Sequence, residues 1–577
     1  MYRQEAIERL RKFLQSEDLS AMIIPSSDPH FGEYFQEHYQ VMSYISGFSG
    51  SAGTLVVTLE SAALWTDSRY FLQAEKELEG SGIELMKMKM EGTPSISQWL
   101  LSELDEEAIV AIDEELYSYR DYLLLLDEIS PLTATLIEDP FDDIWSDRPK
   151  LKFNRSFCIS EEITGESIIS KHNRITKVMG EKLPYSLIVT ACDEVAWLCN
   201  LRGSDVEYNP VALSYAVVSP EKIVLFADIE SIDPQSQNYL YSQNVELRDY
   251  FEFTQYLSSL SPKTIRIFSA GKITAKNYFA AMENIYQLPG VQSLIADPTI
   301  GGTIAMMKSI KNAVEIEGFK KANIQDAIAW NKIINYIREN VPNGNISEYD
   351  IACKIQEFRK ECPDYIGESF EPIVSYNANG AIVHYTPTKD SSSIIGKDGF
   401  LMIDSGGQYS YGTTDTTRTI PLGDLTQEQK EDYSIVLKGM VALSMAKFPK
   451  GTRGSQLDIL ARGPLFNVGK MYMHGTSHGI GHYLNVHEGP QNIRMEENPV
   501  SLQPGMVLSN EPAVYIAGKY GIRHENTILV AKWIENEFGD FYQFETLTKV
   551  PIDLSCIKKE LFSVDELSWL ESFNNSL

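Results

Sequence analysis

Two stretches of this 577-residue chain drive acidic side chains toward apolar surroundings. In FLMIDSGGQYSYGTTDTTRTI, residues 400–420, two strand-like runs flank a polar turn near Tyr409 and Ser410, and folding there sets Asp404 opposite Asp415. VLSNEPAVYIAGKYGIRHENTILV, residues 507–530, repeats the pattern, with a turn centred near Gly518 and Glu511 opposite Glu525. One such hairpin would read as a solvated turn. A second, with apolar Leu401, Met402, Ile403 and Ile528, Leu529, Val530 alongside, demands another account. Carboxylates pressed against a buried sheet face must be protonated, paired with a basic side chain, or coordinated to a cation.

The stretch HGTSHGIGHYLNVHEGP, residues 474–490, narrows that choice, because it holds four of the nine histidines: His474, His478, His482 and His487. Their spacing suggests a zinc-protease helix of the HExxH type, but Gly475 follows His474, and Gly475, Gly479 and Gly481 would each cost a helix about 1 kcal/mol. An extended or looped segment fits better and puts His474, His478 and His482 on one side. Arg418 and Arg523 could neutralise carboxylates but leave the histidines unexplained. Two divalent cations account for both, balancing four carboxylates while an imidazole ligates without adding charge. Mixed Asp/Glu/His ligation suits Mn²⁺, Zn²⁺ or Co²⁺ better than Ca²⁺. Two such ions, roughly 3.5–4 Å apart, would lower the pKa of a bridging water toward neutrality, the chemistry of a hydrolase.

A net charge of −30 excludes nucleic acid and anionic membranes as expected partners. The six cysteines show no paired spacing and read as reduced thiols, and no run resembles a signal peptide or a membrane span, so a cytoplasmic location is expected. Three blocks follow one another. AMIIP, TLVVTL and ALWTDSRYFLQAEKELE describe an α/β domain over residues 1–150. SLIVTACDEVAWLCNLRGSD, LSYAVV and KIVLFAD, after a polar linker, describe a second over 151–305, with the look of a distant copy. From residue 306 the texture changes to one long helical pattern, MMKSIKNAVEIEGFKKANIQDAIAWNKIINYIREN, and then Gly-rich strands, giving a third domain over 306–577 that holds the unusual residues.

DSGGQYSYGTTDTTRT, HGTSHGIGHYLNVHEGP, SNEPAVY and GIRHEN together resemble the metal-binding signature of the aminopeptidase P (Xaa-Pro aminopeptidase) family, in the pita-bread metallopeptidase group. NANGAIVHYTP, AWLCNLRGSDVEYNPVALSYAVV and SGFSGSAGTLVVTLESAALWTDSRYF extend the likeness over most of the chain. The resemblance implies two creatinase-like α/β N-terminal domains followed by a pita-bread catalytic domain, in the long cytosolic form of the enzyme. It implies release of the N-terminal residue from peptides with proline second, by attack of a metal-bridging hydroxide. By the same resemblance Asp404 chelates one metal, His478 and Glu511 hold the other, and Asp415 and Glu525 bridge them. Glu511 also shuttles the proton.

His384, His474 and His487 match histidines that line the family's pocket, as hydrogen-bond donors to the substrate carbonyl and oxyanion or as support for the ligands, and His478 borders the same substrate. Tyr515 and Arg523 match positions near the metals, with packing and salt bridging as the alternative. Arg69 matches an arginine that reaches the peptide, or is a surface residue at a helix start. His482 carries no matched role and reads as packing. Two positions depart from the family pattern, Ala513 after the Glu-Pro pair and His524, which should point away from the metals. The resemblance further implies manganese and a homodimer through the third domain. Two alternatives stay open: a prolidase restricted to Xaa-Pro dipeptides, and a non-catalytic pita-bread module that binds peptides.

Overall fold

Apolar runs in the first half of the chain fold into two sheets that share one plan. In a computed structural model, which describes residues 2–180, 184–285 and 294–576, the chain divides into two units. The first comprises Met1–Cys158, Ser167–Glu207 and Val211–Pro298. At the centre of its first sheet, Ala21–Pro25 runs antiparallel to Thr54–Thr58 and parallel to Ile109–Asp113. Ala62–Thr66 and Glu84–Lys87 extend one side, and Thr133–Ile137 closes the other. In the second sheet Tyr185–Val189 takes the central place, antiparallel to Ser214–Val218 and parallel to Ile265–Phe268. Ile223–Ala227, Val245–Arg248 and Leu294–Ala296 then repeat the outer steps in the same directions. The likeness between the two blocks is therefore one of topology. Strands such as Tyr185–Val189 and Ile223–Ala227 are buried at every position, as expected where helices cover both faces.

The second unit comprises Ile159–Glu166, Tyr208–Pro210 and Thr299–Leu577. Gly399–Ser405 lies between Ile373–Tyr376 and Thr416–Leu422, antiparallel to both. Leu401 and Ile403 pack with Trp330, Ile333 and Ile337 of helix Ala313–Asn340 and with Ile351 and Ile355 of helix Glu348–Lys360. Strand alternation therefore turns Asp404 to the opposite face. A larger sheet runs in the order Lys447–Pro449, Gly539–Thr546, Asn526–Asn536, Val507–Asn510, Ser477–Gly479 and Glu488–Ile493. The hairpin Ala513–Ile516 with Tyr520–Arg523 packs through Val514 and Ile522 on Val436 and Met440 of helix Gln427–Ser444.

The helical pattern from Met306 to Asn340 is not one helix. It splits into Thr303–Ser309 and Ala313–Asn340. Asn312 starts the second helix by accepting from the Val314 and Glu315 amides, while Glu315 accepts from the Asn312 amide. The Lys311 amide donates to Gly505 instead of to the preceding turn. Among the described residues no helix is long and apolar enough to cross a membrane.

Candidate metal centre

The first acidic hairpin turns one residue later than its sequence suggests. Gln408 faces Thr413 across a turn at Ser410 and Tyr411, and Asp404 faces Thr417. Asp404 and Asp415 are thus diagonal neighbours instead of a direct pair. Moving the turn by one residue changes the pairing by two, so both carboxylates stay on the same face. Gly406 lets the chain cross beside Asp415: a Cβ there would lie 1.9 Å from the Thr414 carbonyl oxygen. The second hairpin keeps the expected register. Asn510 faces Asn526 and Ala513 faces Arg523, which sets Glu511 opposite Glu525, and Gly518 supplies the left-handed turn residue at φ 71°.

Between those two ladder segments the regular pairing lapses, although the His524 amide still donates across to the Pro512 carbonyl at 3.4 Å. The Glu511 amide donates to the Thr476 carbonyl at 2.9 Å, and the Glu525 amide donates to the Thr417 carbonyl at 3.1 Å. Each acid is thereby tied to another segment of the site, Glu511 to the one bearing His478 and Glu525 to the one bearing Asp415.

Donor atoms of Asp404, Asp415 and Glu525 lie within 4.8 Å of one another, as do those of His478, Glu511 and Glu525 and those of Asp415, His478 and His487. His478 Nε2 is 3.3 Å from Asp415 Oδ2 and 3.4 Å from Glu511 Oε1, and the His478 and His487 rings meet edge to face. Among the described residues one guanidinium reaches this group, with Arg523 Nη2 donating to Asp404 Oδ2 at 2.5 Å. Asp404 Oδ1 is buried without a hydrogen-bond partner. Burial, reinforced by neighbouring carboxylates, pushes Asp415 and Glu525 well above the usual range and Glu511 up to about 8. Four convergent carboxylates, an imidazole and an orphaned buried oxygen fit a pair of divalent cations.

Two supporting residues escaped the sequence reading. Thr417 Oγ1 donates to Glu525 Oε2 at 2.8 Å, and Ser509 Oγ donates to Glu511 Oε1 at 3.2 Å while accepting from the His478 amide. Each lies two residues from an acid on the same strand face, a parity signal that could have found them.

Arg523 also links to His474. Its Nη1 donates to the Tyr515 hydroxyl at 2.6 Å, and that hydroxyl lies 2.9 Å from His474 Nε2. His474 Nδ1 is 2.8 Å from the Gly475 carbonyl oxygen, so both ring nitrogens are engaged, and it is 4.0 Å from Glu511 Oε2. Arg418 faces away from the acids and donates to the backbone carbonyls of Thr417, Glu525, Val550 and Pro551.

His482 departs from the shared parity, because the extended segment ends at Gly479. It packs under helix Ala313–Asn340 beside Phe319, 4.0 Å from Glu315. His524 is fully buried, edge-on to Tyr433, and belongs to none of the three convergent sets. Burial pushes it down to about 3. His384 lies half-buried just after Asn377–Ala381, a segment held against the second hairpin by glycines: a Cβ on Gly521 would meet the Gly380 carbonyl oxygen at 1.8 Å. Arg69 belongs to the first unit, where Nε and Nη2 donate to Asp67 at 2.9 and 2.8 Å and Nη1 is 3.7 Å from Glu33.

Known proteins carry the same organisation. The model for Metallopeptidase family M24 matches residues 317–532, that for its C-terminal region residues 540–577, and two for the Creatinase/Prolidase N-terminal domain residues 7–139 and 147–315. Xaa-Pro aminopeptidase 1 of Dictyostelium discoideum is 38% identical over 98% of this chain and 91% of its own. The chain belongs to the Xaa-Pro aminopeptidase family of M24 metallopeptidases. The crystal structure of another Xaa-Pro aminopeptidase relative, X-prolyl aminopeptidase from Caenorhabditis elegans, a cytosolic enzyme with a di-nuclear active site, superimposes with a TM-score of 0.93 at 30% identity, over 100% of this chain and 95% of that one. Xaa-Pro dipeptidase from Bacillus anthracis, 22% identical with a TM-score of 0.53 over 67% of this chain and 99% of its own, shares the fold.

Proposed function

We propose that this protein is a metal-dependent aminopeptidase that releases the N-terminal residue from peptides with proline in the second position. The observation that carries the reading is the convergence of Asp404, Asp415, His478, Glu511 and Glu525 on one face of the second unit, in a member of the Xaa-Pro aminopeptidase family. These five residues would hold two divalent ions, with Asp415 and Glu525 shared, Asp404 on one side and His478 with Glu511 on the other. When bound, the ions supply Lewis-acid polarisation of the scissile carbonyl and a water acidic enough to attack near neutral pH.

The remaining chemistry belongs to the chain. Glu511 takes the proton of the attacking water and delivers it to the departing proline nitrogen. That nitrogen has no N–H before cleavage, and the proline ring fixes the local backbone, so position two is read by shape. His384 and His487 serve as donors to the carbonyl and to the oxyanion. His474, with both ring nitrogens engaged, acts through the Tyr515 hydroxyl on Arg523, which holds Asp404. Arg69 keeps its reading as a residue that reaches the peptide. Manganese, a homodimer formed through the third domain and a cytoplasmic location complete the reading, together with a three-domain division at about residues 150 and 305. The last is supported by the separate family matches over residues 7–139, 147–315 and 317–532.

Purified protein assayed on Arg-Pro-Pro and on Ala-Pro, chelator-stripped and Mn²⁺-restored, tests this. Release of arginine from the tripeptide, lost on stripping and regained with metal, is expected. Preference for the dipeptide would make it a prolidase, and inactivity on both with two metals bound would leave a peptide-binding module.

A further inference from the structure

Glu348 is a fully buried carboxylate at the first position of helix Glu348–Lys360, and among the described residues no cation pairs with it. Its charge is met by donors drawn from a single loop. Oε1 accepts from the Tyr376 amide at 2.6 Å and from Asn379 Nδ2 at 2.9 Å. Oε2 accepts from Asn379 Nδ2 at 3.0 Å, the Tyr385 hydroxyl at 2.8 Å and the Ser393 amide at 2.6 Å. The Glu348 amide in turn donates to the Ser393 carbonyl at 3.0 Å, and the Ile395 amide to the Ile346 carbonyl at 2.8 Å. One side chain therefore fastens the start, the middle and the return of the loop after Tyr376, with the helix N-terminus favouring its negative charge.

His384 sits inside that loop, immediately before Tyr385. Two successive turns, Ile382 amide to Asn379 carbonyl and Tyr385 amide to Ile382 carbonyl, carry the backbone from one Glu348 tie to the next. The opposite side of the segment is fixed by the Gly380–Gly521 approach. A helix cap would need none of these distant donors, and Ser347 already caps the helix by accepting from the Asp350 amide. We propose that Glu348 is a positioning residue for the reaction: it sets the path of the 376–393 loop and, through Tyr385, the place of His384 at the substrate. This rests on the reading of His384 as a substrate contact.

A double-mutant cycle on the Mn²⁺-loaded full-length enzyme tests it, using Glu348→Gln, His384→Ala and the double variant with Arg-Pro-Pro. Gln keeps the shape but must set its NH2 against one of the two backbone amide donors, Tyr376 or Ser393. Glu348→Gln should lower kcat/KM by about 10- to 100-fold, with the same division between kcat and KM as His384→Ala and with unchanged metal content. The double variant should be no slower than His384→Ala to within about twofold. Losses that multiply in the double variant overturn the proposal while leaving the substrate-contact reading standing. Full activity of His384→Ala overturns that reading and the proposal with it. Should Glu348→Gln not fold, Tyr385→Phe, which removes one hydroxyl, decides by the same cycle: a loss of a few fold that vanishes without His384 supports the proposal, and one that persists overturns it.

Discussion

Glu488 and Glu525 are both buried acids of the second unit, and their charges are met in opposite ways. Glu488 is held by the ammonium groups of Lys308 and Lys311, the second at 2.5 Å, each almost fully buried. Arg359 does the same for Asp326 at 2.7 Å and Glu368 at 2.5 Å, helped by the Tyr409 and Tyr365 hydroxyls. Around Glu525 four carboxylates face one guanidinium, that of Arg523. At Glu488, Asp326 and Glu368 the chain itself supplies the cation. Where four acids converge and, among the described residues, one guanidinium reaches them, the balance comes from solution, and the site is charged for its ligand instead of for itself.

The largest test of this contrast is Glu525→Gln. Activity on Arg-Pro-Pro should fall on the order of 1000-fold or more, and metal analysis should find fewer than two ions per chain. The same variant stripped of metal should melt above the stripped parent, because the cost of keeping a buried carboxyl protonated among other acids is gone. Retention of both metals with near-normal activity would erase the distinction between the two kinds of acid.

Glu488→Gln should do the reverse. It leaves two buried ammonium groups facing each other and should destabilise the second unit by about 3–5 kcal/mol, with a loss measured by urea melts that is equal with and without added Mn²⁺. A third test is pH. Glu511 moves from its usual 4.5 up to about 8 in the folded, metal-free chain. Between those values the folded state keeps a proton that the unfolded state has released, so metal-free stability falls as pH rises from about 5 to 8. Metal displaces that proton, so the gain in Tm on adding Mn²⁺ should grow across the same interval, and a gain constant with pH would contradict the charge argument.

The smallest effect is expected at His524, buried with neither ring nitrogen hydrogen-bonded. Its replacement by Leu should stabilise the unit by about 1 kcal/mol and leave kcat/KM within a few fold, as read by melting and by the tripeptide assay.

The convergent ligands were legible because like charges at matched strand positions violate an ordinary rule, and parity survived even where the first hairpin turned a residue late. The twin N-terminal sheets were legible as a repeated pattern of strand lengths. The break at 310–312 was hidden because Lys311 and Asn312 are acceptable helix residues, and only the tertiary bond to Gly505 and the Asn312 cap decide against continuation. His482 was misplaced for a related reason, since parity holds only while a strand lasts. Glu348 gave no signal at all: an acid after Ser347 reads as an ordinary helix start, and its partners lie 28 to 45 residues further along.

The lapse in pairing at Glu511 and Glu525 also bears on motion. Their two amides are bonded not to each other but to Thr476 and Thr417, one on each flank of the cluster. Neither can exchange its proton with solvent through simple fraying of the hairpin tip at Gly518, because the tip and these amides belong to separate hydrogen-bond systems. Release of either amide requires two neighbouring segments to separate together, so its exchange rate follows the cooperative opening of the whole cluster. The gap that looks like a flaw in the ladder makes the centre the last part of the hairpin to loosen.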